Sequence, residues 1–377
     1  MRVRALRGTM VRSQGSRLFT RALCYGATKT LAVDQGINRA GGALGGGRHS
    51  VSGVTATVFG ATGFLGRYLV NELGKIGSQV IIPYRCTEQD TSHLRLMGDL
   101  GQIVLDPYDA NDPSAVNKYV QDSNVVINLL GRDRETWKHS FEKVNVDMAA
   151  NIAKAASEAG VERLYHFSCV GASPDATGKK FRTKHEGEVA VREHFPEATI
   201  MRMAPVVGVE DRLLNSIAFM TRRMPYVPLY DGGETKMQPV YVLDVVKAFV
   251  ESLKHEGTKG QTFEFAGPET YTMKELVTLV EKTIREPSGS LNIPSSLGKL
   301  LDSPRAALQA SIPFPVPTHT MLTSDYIDEM ESDLVVDGSS LGFEDLGIEP
   351  QRIDQGVPIE HVRFWRSGGY DFGSTFE

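Results

Sequence analysis

The sequence predicts an α/β fold built on a doubly wound parallel sheet, with a smaller C-terminal lobe. From Val54 onward, apolar runs of strand length alternate with amphipathic stretches of helix length. A glycine-rich turn, TVFGATGFLG at residues 57–66, joins the first strand to the first helix. Elements that alternate in this way form a parallel sheet with right-handed crossovers, because each connection must return across one face of the sheet.

Each element has its own signal along the chain. Short apolar runs bounded by glycine, proline or acidic residues predict strands at 55–61, 79–85, 101–109, 124–131, 162–171 and 198–208. Helical spacing, with glycine stops and an Asp-Pro start at residue 112, predicts helices at 64–77, 112–123, 141–160 and 181–195. Beyond residue 206 the pattern predicts a helix at 212–224, a loop at 224–233, a strand and helix within 238–257, and a strand, turn and helix within 261–287.

These signals predict a division of the chain. We expect a dinucleotide-binding domain over residues 51–206, to which residues 238–266 return. The smaller C-terminal lobe is expected over 207–237 and 267–365, followed by a tail at 366–377. Residues 288–326 are rich in proline and serine and show weaker periodicity, so their structure is left open.

Composition excludes several classes of protein. The 377 residues include 41% hydrophobic residues and carry a net charge of −5, which does not suit a nucleic-acid partner. No run of 18 apolar residues predicts a transmembrane helix. The three cysteines, at positions 24, 86 and 169, lack metal-type spacing, which predicts no metal site and a reducing compartment.

The first 50 residues differ from the rest in charge. They contain eight arginines and one lysine but a single acidic residue, Asp34, with leucine, valine and phenylalanine interspersed. This composition predicts a mitochondrial transit peptide, and a disordered basic arm is the alternative. The glycine-rich tract at 41–53 predicts a flexible joint, so the mature chain is expected to begin before Val54.

The turn after the first strand carries three glycines at a spacing of three residues: Gly60, Gly63 and Gly66. In a Rossmann fold the first permits a tight turn, the second admits a pyrophosphate, and the third lets the helix pack closely. The start of the helix then faces the phosphates with its positive pole. Flanking positions predicted to contact the cofactor are Thr62, Phe64 and Leu65. The alternative is that the glycines serve only a tight turn.

Other strand ends predict which dinucleotide binds. Arg85 follows the second strand, where an NAD-specific fold usually carries an acid, so it favours a 2′-phosphate and hence NADP(H). The alternative is an ordinary surface arginine. Asp109 follows the third strand and is predicted to contact the adenine amino group. The fourth strand would pass beside the cofactor at Leu129, Leu130 and Gly131.

GATGFLG, NLLG, YHFS and PVYVLDVVKA resemble the extended and atypical short-chain dehydrogenase/reductase superfamily over roughly residues 54–280. Enzymes of that superfamily use Tyr-x-x-x-Lys, with the tyrosine as general acid/base. Here Lys180 takes the tyrosine position and Lys184 matches the lysine that contacts the nicotinamide ribose. The resemblance also implies cofactor contacts at Ser168 and Pro205. Two like charges four residues apart on a helix repel each other and do not replace a phenol, so no catalytic residue is predicted.

Two alternatives would keep the chain an enzyme. Lys180 could act as a base with a depressed pKa, or a shifted alignment could recruit His185 or Tyr165. The only tyrosine with a lysine four residues later is Tyr25, which lies within the predicted transit peptide.

A more specific resemblance rests on VIIPYRC, HLRLMGDLGQ, SNVVINLLGRD, EGEVAVREHFPEATI and FEDLGIEP, which occur in order along the chain. Together they are similar to the nucleotide-binding accessory subunits of mitochondrial respiratory complex I. That family implies NADPH held without turnover, other complex I subunits as partners, and a peripheral place on the matrix side of the inner membrane near the quinone site. The C-terminal region is its candidate for lipid contact. The alternatives are an active mitochondrial NADP-dependent reductase or epimerase, and a redox-sensing scaffold.

Overall fold

A computed structural model describes residues 50–109, 112–136, 139–311 and 319–366. The strands are Thr55–Phe59 (β1), Gln79–Tyr84 (β2), Ile103–Pro107 (β3), Val125–Asn128 (β4), Arg163–Cys169 (β5), Thr199–Met203 (β6), Val206–Val207 (β7), Tyr226–Tyr230 (β8), Lys236–Met237 (β9), Val240–Tyr241 (β10), Thr262–Phe265 (β11), Tyr271–Thr272 (β12) and Gly289–Ile293 (β13). The predicted transit peptide and nearly all of the predicted tail lie outside the described residues.

Helices connect these strands. They are Phe64–Lys75 (α1), Glu88–Arg95 (α2), Pro113–Val120 (α3), Met148–Glu158 (α4), Lys179–His194 (α5), Leu213–Arg223 (α6), Val242–Lys254 (α7), Met273–Ile284 (α8), Ser295–Ser311 (α9), Ser324–Met330 (α10) and Val357–Glu360 (α11). A π-helical turn at Lys143–Asp147 precedes α4. Short 3₁₀ turns occupy Asp231–Gly233, Glu256–Thr258, Thr320–Leu322, Glu344–Leu346 and His361–Trp365.

The central sheet has seven strands in the order β3-β2-β1-β4-β5-β6-β11, and every pair is parallel. The predicted fold class is therefore confirmed. Thr57 of β1 lies opposite Ile81 on one side and Val126 on the other. The strand order reverses between β1 and β4, so the connections leave to opposite sides there and open a crevice at the carboxyl ends.

Helices cover both faces of the sheet. On one face α1 packs beside α7, over a core that includes Leu69, Val80 and Phe249. On the other face α3, α4 and α5 pack side by side over Ile152 and Val191. A third apolar cluster, which includes residues of α6 and α8, forms the core of the C-terminal lobe. Both sheet faces are therefore buried, which is why the strands read as continuous apolar runs.

The prediction of a loop at residues 224–233 is wrong. Tyr226–Tyr230 forms β8, which pairs in parallel with β13 so that Pro228 lies opposite Leu291. Four of its five residues are buried, from Val227 to Tyr230. Proline is tolerated here because this pair is a separate two-stranded sheet, and an edge strand can leave one N–H position unused.

Four of the described helices, α2, α9, α10 and α11, fall outside the predictions. The polar segment of α2 was not assigned any structure, yet a capping box between Thr87 and Asp90 starts it. The region left open at residues 288–326 contains β13, α9 and α10 among its described residues. Within the described part of the chain, no helix is both long and apolar enough to cross a membrane.

Candidate cofactor-binding site

A cavity of about 410 Å³ lies at the carboxyl ends of the central strands and extends to the C-terminal lobe. Its lining comes from the turn after β1, from the ends of β4, β5 and β6, and from α5 and α10. Most of the predicted cofactor-binding residues line it: Gly60, Gly63, Phe64, Leu65, Gly66, Leu129, Gly131, Ser168, Lys184 and Pro205. The structure thus brings together residues that are up to 145 positions apart in the chain (60 to 205).

The glycine turn is shaped by close backbone contacts. Gly60 has φ +84, and a Cβ there would lie 3.1 Å from the backbone of Leu129 on β4. A Cβ on Gly66 would lie 2.5 Å from the carbonyl oxygen of Ala61, so the first turn of α1 can lie against the end of β1 only without a side chain. Gly63 is less constrained, since its nearest neighbour would be the Gly60 carbonyl oxygen at 3.3 Å.

The N-terminus of α1 is open to a ligand. Its N-cap residue, Gly63, makes no side-chain cap hydrogen bond. The first N–H groups of a helix have no partner within the helix, so those of Phe64, Leu65 and Gly66 lack intrahelical acceptors. These residues line the cavity, and the positive pole of the helix dipole lies here as well. This combination suits a phosphate group.

Lys184 lies at the bottom of the cavity between two strand ends. Its Nζ donates hydrogen bonds to the carbonyl oxygens of Leu130 and Phe167, each at 3.2 Å. The residue is buried, and burial together with the nearby Lys180 charge lowers the pKa of its ammonium. A Cβ on Gly131 would lie 3.2 Å from the same Nζ. The ammonium group is therefore fixed beside the glycine at the end of β4.

Lys180 occupies the position where the short-chain dehydrogenase pattern has a tyrosine. Its Nζ lies 2.7 Å from Oε1 of Glu329 on α10 and 3.3 Å from Oδ1 of Asp133. Burial lowers the pKa of the Lys180 ammonium, but the Glu329 carboxylate and other negative groups outweigh burial and raise it overall. The direction is opposite to the depressed pKa that a lysine base requires.

The other proposed substitutes for the tyrosine do not line the cavity. Tyr165 is fully buried in the core, where its hydroxyl accepts a hydrogen bond from Arg163 at 3.1 Å. His185 lies on α5 one residue beyond Lys184 and is likewise outside the lining.

Ser168 is the last residue but one of β5 and lines the cavity. The residue is buried, and its Oγ has no hydrogen-bond partner among the described residues. A buried hydroxyl without a partner is costly, by about 1–3 kcal/mol, unless another polar group meets it. This hydroxyl is therefore a candidate partner for a polar ligand group.

Four predicted residues are not in the cavity lining: Thr62, Arg85, Asp109 and Leu130. Arg85 is exposed directly after β2, and its charge contributes, after burial, to the lowered pKa of the Arg132 guanidinium. Asp109 is exposed two residues beyond β3. Leu130 turns its side chain into the opposite core and offers only its carbonyl oxygen, to Lys184. Thr62 remains a predicted contact for the phosphates, and Arg85 and Asp109 remain predicted contacts for the adenosine half.

Comparison with known proteins identifies the family of this chain. The model of the NAD dependent epimerase/dehydratase family matches residues 56–266. A protein from Arabidopsis thaliana named NADH dehydrogenase (ubiquinone) 1 alpha subcomplex subunit 9, mitochondrial, is 43% identical over 88% of this chain and 82% of its own. The protein of the same name from Rattus norvegicus is 46% identical over 82% of this chain and 80% of its own.

The chain belongs to the alpha subcomplex subunit 9 family. The resemblance predicted from its motifs is confirmed at this level. Among solved structures, an NADPH-dependent quinone oxidoreductase from Escherichia coli, complexed with NADPH, has a TM-score of 0.62 and 18% identity, covering 82% of this chain and 98% of its own. That likeness shows the fold, which the subunit 9 family shares with oxidoreductases.

One wall of the cavity was not predicted from the sequence. The far wall of the cavity comes from the C-terminal lobe and contributes Tyr326, Glu329 and Met330 of α10. Burial, and after it the Glu329 charge, raises the pKa of the Tyr326 hydroxyl, which makes it a poorer acid than a free phenol. These residues lie in the proline- and serine-rich region and just beyond it, where the sequence pattern was weak.

Proposed function

We propose that this chain is a non-catalytic accessory subunit of mitochondrial respiratory complex I that holds NADPH in its cleft. The proposal is supported by identity of 43% and 46% to proteins named as mitochondrial NADH dehydrogenase (ubiquinone) subunits, over more than four fifths of this chain. In this role the cofactor stabilises the folded chain by mass action and fixes the surface that docks on the matrix arm near the quinone site.

The environment of Lys180 is the observation that best supports the proposal that the subunit has no catalytic activity. Proton transfer to a carbonyl near neutrality needs a group whose pKa lies close to the working pH. Burial lowers the pKa of the Lys180 ammonium, but the Glu329 carboxylate raises it overall, and Asp133 is its second ion-pair partner. The side chain at the expected place of the acid/base therefore has neither the chemistry nor the pKa for that role.

The residues present fit a dinucleotide. The glycine turn provides space that a Cβ would fill, the start of α1 provides N–H donors, and Ser168 provides a hydroxyl without a protein partner. We assign the phosphates to the turn at Gly60 to Gly66 and the nicotinamide ribose to Lys184. When bound, NADPH brings a transferable hydride to the cleft. The chain's own residues bind and orient the cofactor and fix the position of Lys184 beside it through the carbonyl oxygens of Leu130 and Phe167.

We assign NADP(H) rather than NAD(H) because of the positive charge at the end of β2. Arg85 stands where a fold selective for NAD carries an acid. The pKa of the Arg132 guanidinium is lowered, first because the group is buried and then because the positive charge of Arg85 acts on it. Two cationic groups in this place favour a 2′-phosphate over a 2′-hydroxyl.

We place the subunit on the matrix side of the inner membrane, peripheral to the bilayer. Helix α9 supports lipid contact in the C-terminal region. Its leucines at positions 297, 300, 301 and 308 are 47%, 69%, 68% and 51% exposed and recur at helical spacing. On the same helix, Lys299 pairs with Asp328 of α10 at 2.7 Å. Flotation with cardiolipin-containing vesicles tests this contact; a chain that stays with the unbound protein contradicts it.

The decisive experiment is native mass spectrometry of the mitochondrial particle that contains this chain. We expect the chain within complex I, with NADPH at a one-to-one ratio. The bound NADPH should not oxidise when candidate carbonyl substrates are added to the purified chain. Recovery of the chain only as a free monomer contradicts the subunit assignment, and turnover that depends on Lys180 contradicts the non-catalytic assignment.

The second candidate is an active NADP-dependent reductase or epimerase of the same superfamily. It is favoured by the cofactor half of the site, which keeps the glycine turn, Ser168 and Lys184, and by the cavity of about 410 Å³ beside them. The two candidates differ in one measurement. A reductase consumes NADPH with a carbonyl substrate, whereas the proposed subunit leaves the cofactor unchanged.

A further inference from the structure

Charged side chains from separate elements meet across the cavity. Lys180 of α5 pairs with Glu329 of α10 at 2.7 Å and with Asp133, beyond β4, at 3.3 Å. Asp133 also forms an ion pair with Arg212, which immediately precedes α6. All four side chains line the cavity. The network therefore connects the sheet, through α5, to the C-terminal lobe.

Helix α10 contacts both sides of the cavity. Its Asp325 interacts with the backbone of Glu135, which follows β4, and its Asp328 lies beside Gly178 at the start of α5. Other contacts attach it to the C-terminal lobe. Lys299 of α9 pairs with Asp328 at 2.7 Å, and the carboxylate of Asp302 accepts a hydrogen bond from the Ser324 N–H at 2.8 Å. Toward α5, the helix presents Glu329. Among the ion pairs of the described residues, the pair between Glu329 and Lys180 is the one that links α10 to α5.

The position of α10 matters for ligand exchange. Tyr326, Glu329 and Met330 form the wall that faces the strand ends, on the opposite side from Ser168 and Lys184. A cofactor whose ribose lies at Lys184 would have its nicotinamide end between this wall and β5. Separation of α10 from α5 would widen the cleft at that end, and it would break the ion pair.

The Lys180–Glu329 ion pair is costly to separate because both side chains are largely buried. The side chains of Lys180 and Glu329 are only 16% and 17% exposed. Charges that are partly withdrawn from water are screened less by salt than surface pairs and are costly to leave without a partner. Asp133 keeps Lys180 in place from the sheet side, at 3.3 Å.

We propose that the Lys180–Glu329 pair is a latch that holds α10 over the cleft and slows exchange of the cofactor. The inference rests on the proposed NADPH-holding function and extends it. The position that belongs to proton transfer in the related enzymes serves closure in this chain. A latch of this kind explains retention of the cofactor without requiring any additional contact to the cofactor itself.

The test is the exchange kinetics of NADPH on the purified full-length chain, followed by cofactor fluorescence with excess NADP⁺ as the displacing ligand. Glu329→Gln keeps the shape of the side chain and removes its charge. We expect the dissociation and association rate constants both to rise by about tenfold, because an open latch eases entry as well as exit. Glu331→Gln is the matched control; Glu331 lies two residues further and pairs with Lys299.

A second variant keeps the test valid if the first is poorly folded. Lys180→Gln should raise both rate constants to a similar extent. The double variant should be no faster than either single variant, since both changes open one latch. Thermal unfolding of each variant without cofactor checks that the fold is intact. Independent, multiplying effects in the double variant would show that the two residues do not act as a pair.

The outcomes separate the latch from the function on which it rests. If the unaltered chain binds no NADPH, the proposed function fails and the latch fails with it. If NADPH binds tightly but both variants exchange it at the original rates, the latch alone is wrong. A faster dissociation with an unchanged association rate identifies an ordinary binding contact and also overturns the latch.

Discussion

The guanidinium of Arg163 donates a hydrogen bond to the carbonyl oxygen of Ser252, near the C-terminus of α7, at 3.2 Å. The same group donates to the carbonyl oxygen of His255 and the hydroxyl of Thr258, each at 2.9 Å. Arg163 is buried at the start of β5. A buried positive charge thus satisfies the carbonyl groups at the negative pole of a helix and fixes that helix to the central sheet.

Arg163→Met should destabilise the chain strongly. The substitution keeps most of the apolar stem but removes the charged donor from the carbonyl oxygens of Ser252 and His255, which retain the Thr258 hydroxyl as a donor. We expect the free energy of unfolding to fall by about 3 kcal/mol, the scale for breaking a buried charged network. Urea unfolding measures it, with Arg95→Met as a control on the surface, where the loss should stay below about 1 kcal/mol. Equal losses in the two variants would contradict this account.

Two glycine substitutions in the phosphate turn should separate folding from binding. Gly66→Ala places a Cβ 2.5 Å from the Ala61 carbonyl oxygen, so we expect a loss of about 1–3 kcal/mol in the free energy of unfolding, from overpacking. Gly63→Ala meets only the Gly60 carbonyl oxygen, at 3.3 Å, and should change stability by about 1 kcal/mol at most. NADPH affinity should nevertheless fall in Gly63→Ala, because a side chain blocks the backbone approach.

Urea unfolding of the chain without cofactor and calorimetric titration with NADPH measure the two effects. A Gly63→Ala variant that binds NADPH with unaltered affinity would show that the phosphates do not lie against this turn. A Gly66→Ala variant that is as stable as the unaltered chain would mean that α1 can shift from the end of β1 without cost.

The central sheet was predictable because its strands are buried on both faces. The sequence of such a strand is a run of mostly apolar residues bounded by glycines or acidic residues, as in β1 and β4. The exceptions follow the same physics. α2 has few apolar residues, and its capping box, rather than an apolar stripe, starts it. β8 carries Pro228, which reads as a loop signal unless the strand is known to lie in a two-stranded pair.

The lining of the cavity at the strand ends was predictable for a different reason. Its residues, such as Gly60 and Gly131, lie at the ends of predicted strands, and carboxyl ends of parallel strands meet at one edge. No comparable rule predicts which residues form the far wall of the cavity. Glu329 meets Lys180 across 149 positions of sequence, and neither residue has a local pattern that points to the other. Only the packing of the C-terminal lobe decides which acid reaches that lysine.

Arg85→Asp should change which cofactor the chain prefers. An acid at the end of β2 would repel a 2′-phosphate and accept a hydrogen bond from a 2′-hydroxyl. We expect a loss of about 1.5–3 kcal/mol in the free energy of NADPH binding, with NADH affinity unchanged or improved. Calorimetric titration with both cofactors measures this. Arg95→Asp changes the net charge equally on the nearby α2 and should leave both affinities unchanged; a loss in both variants would indicate only a long-range charge effect.

His166 should make folding stability depend on pH. Asn128 accepts the Leu130 N–H through Oδ1 at 3.0 Å, so its Nδ2 faces Nδ1 of His166 at 3.1 Å and donates to it. Burial, and after it the charge of Lys184, lowers the pKa of this imidazole from 6.5 to about 3. The folded chain therefore keeps His166 neutral at pH values where the unfolded chain binds a proton.

Below pH 6.5 the unfolded state takes up the proton that the folded state refuses, so stability falls as the pH is lowered toward about 3. The slope from this one residue is about 1.4 kcal/mol per pH unit. His166→Gln keeps an acceptor for Asn128 and removes the titration, so urea unfolding at pH 6 and pH 5 should show a flatter slope by about that amount. His194→Gln, at the exposed end of α5, is the control and should keep the original slope. Parallel slopes in all three proteins would mean that His166 is protonated in the folded chain.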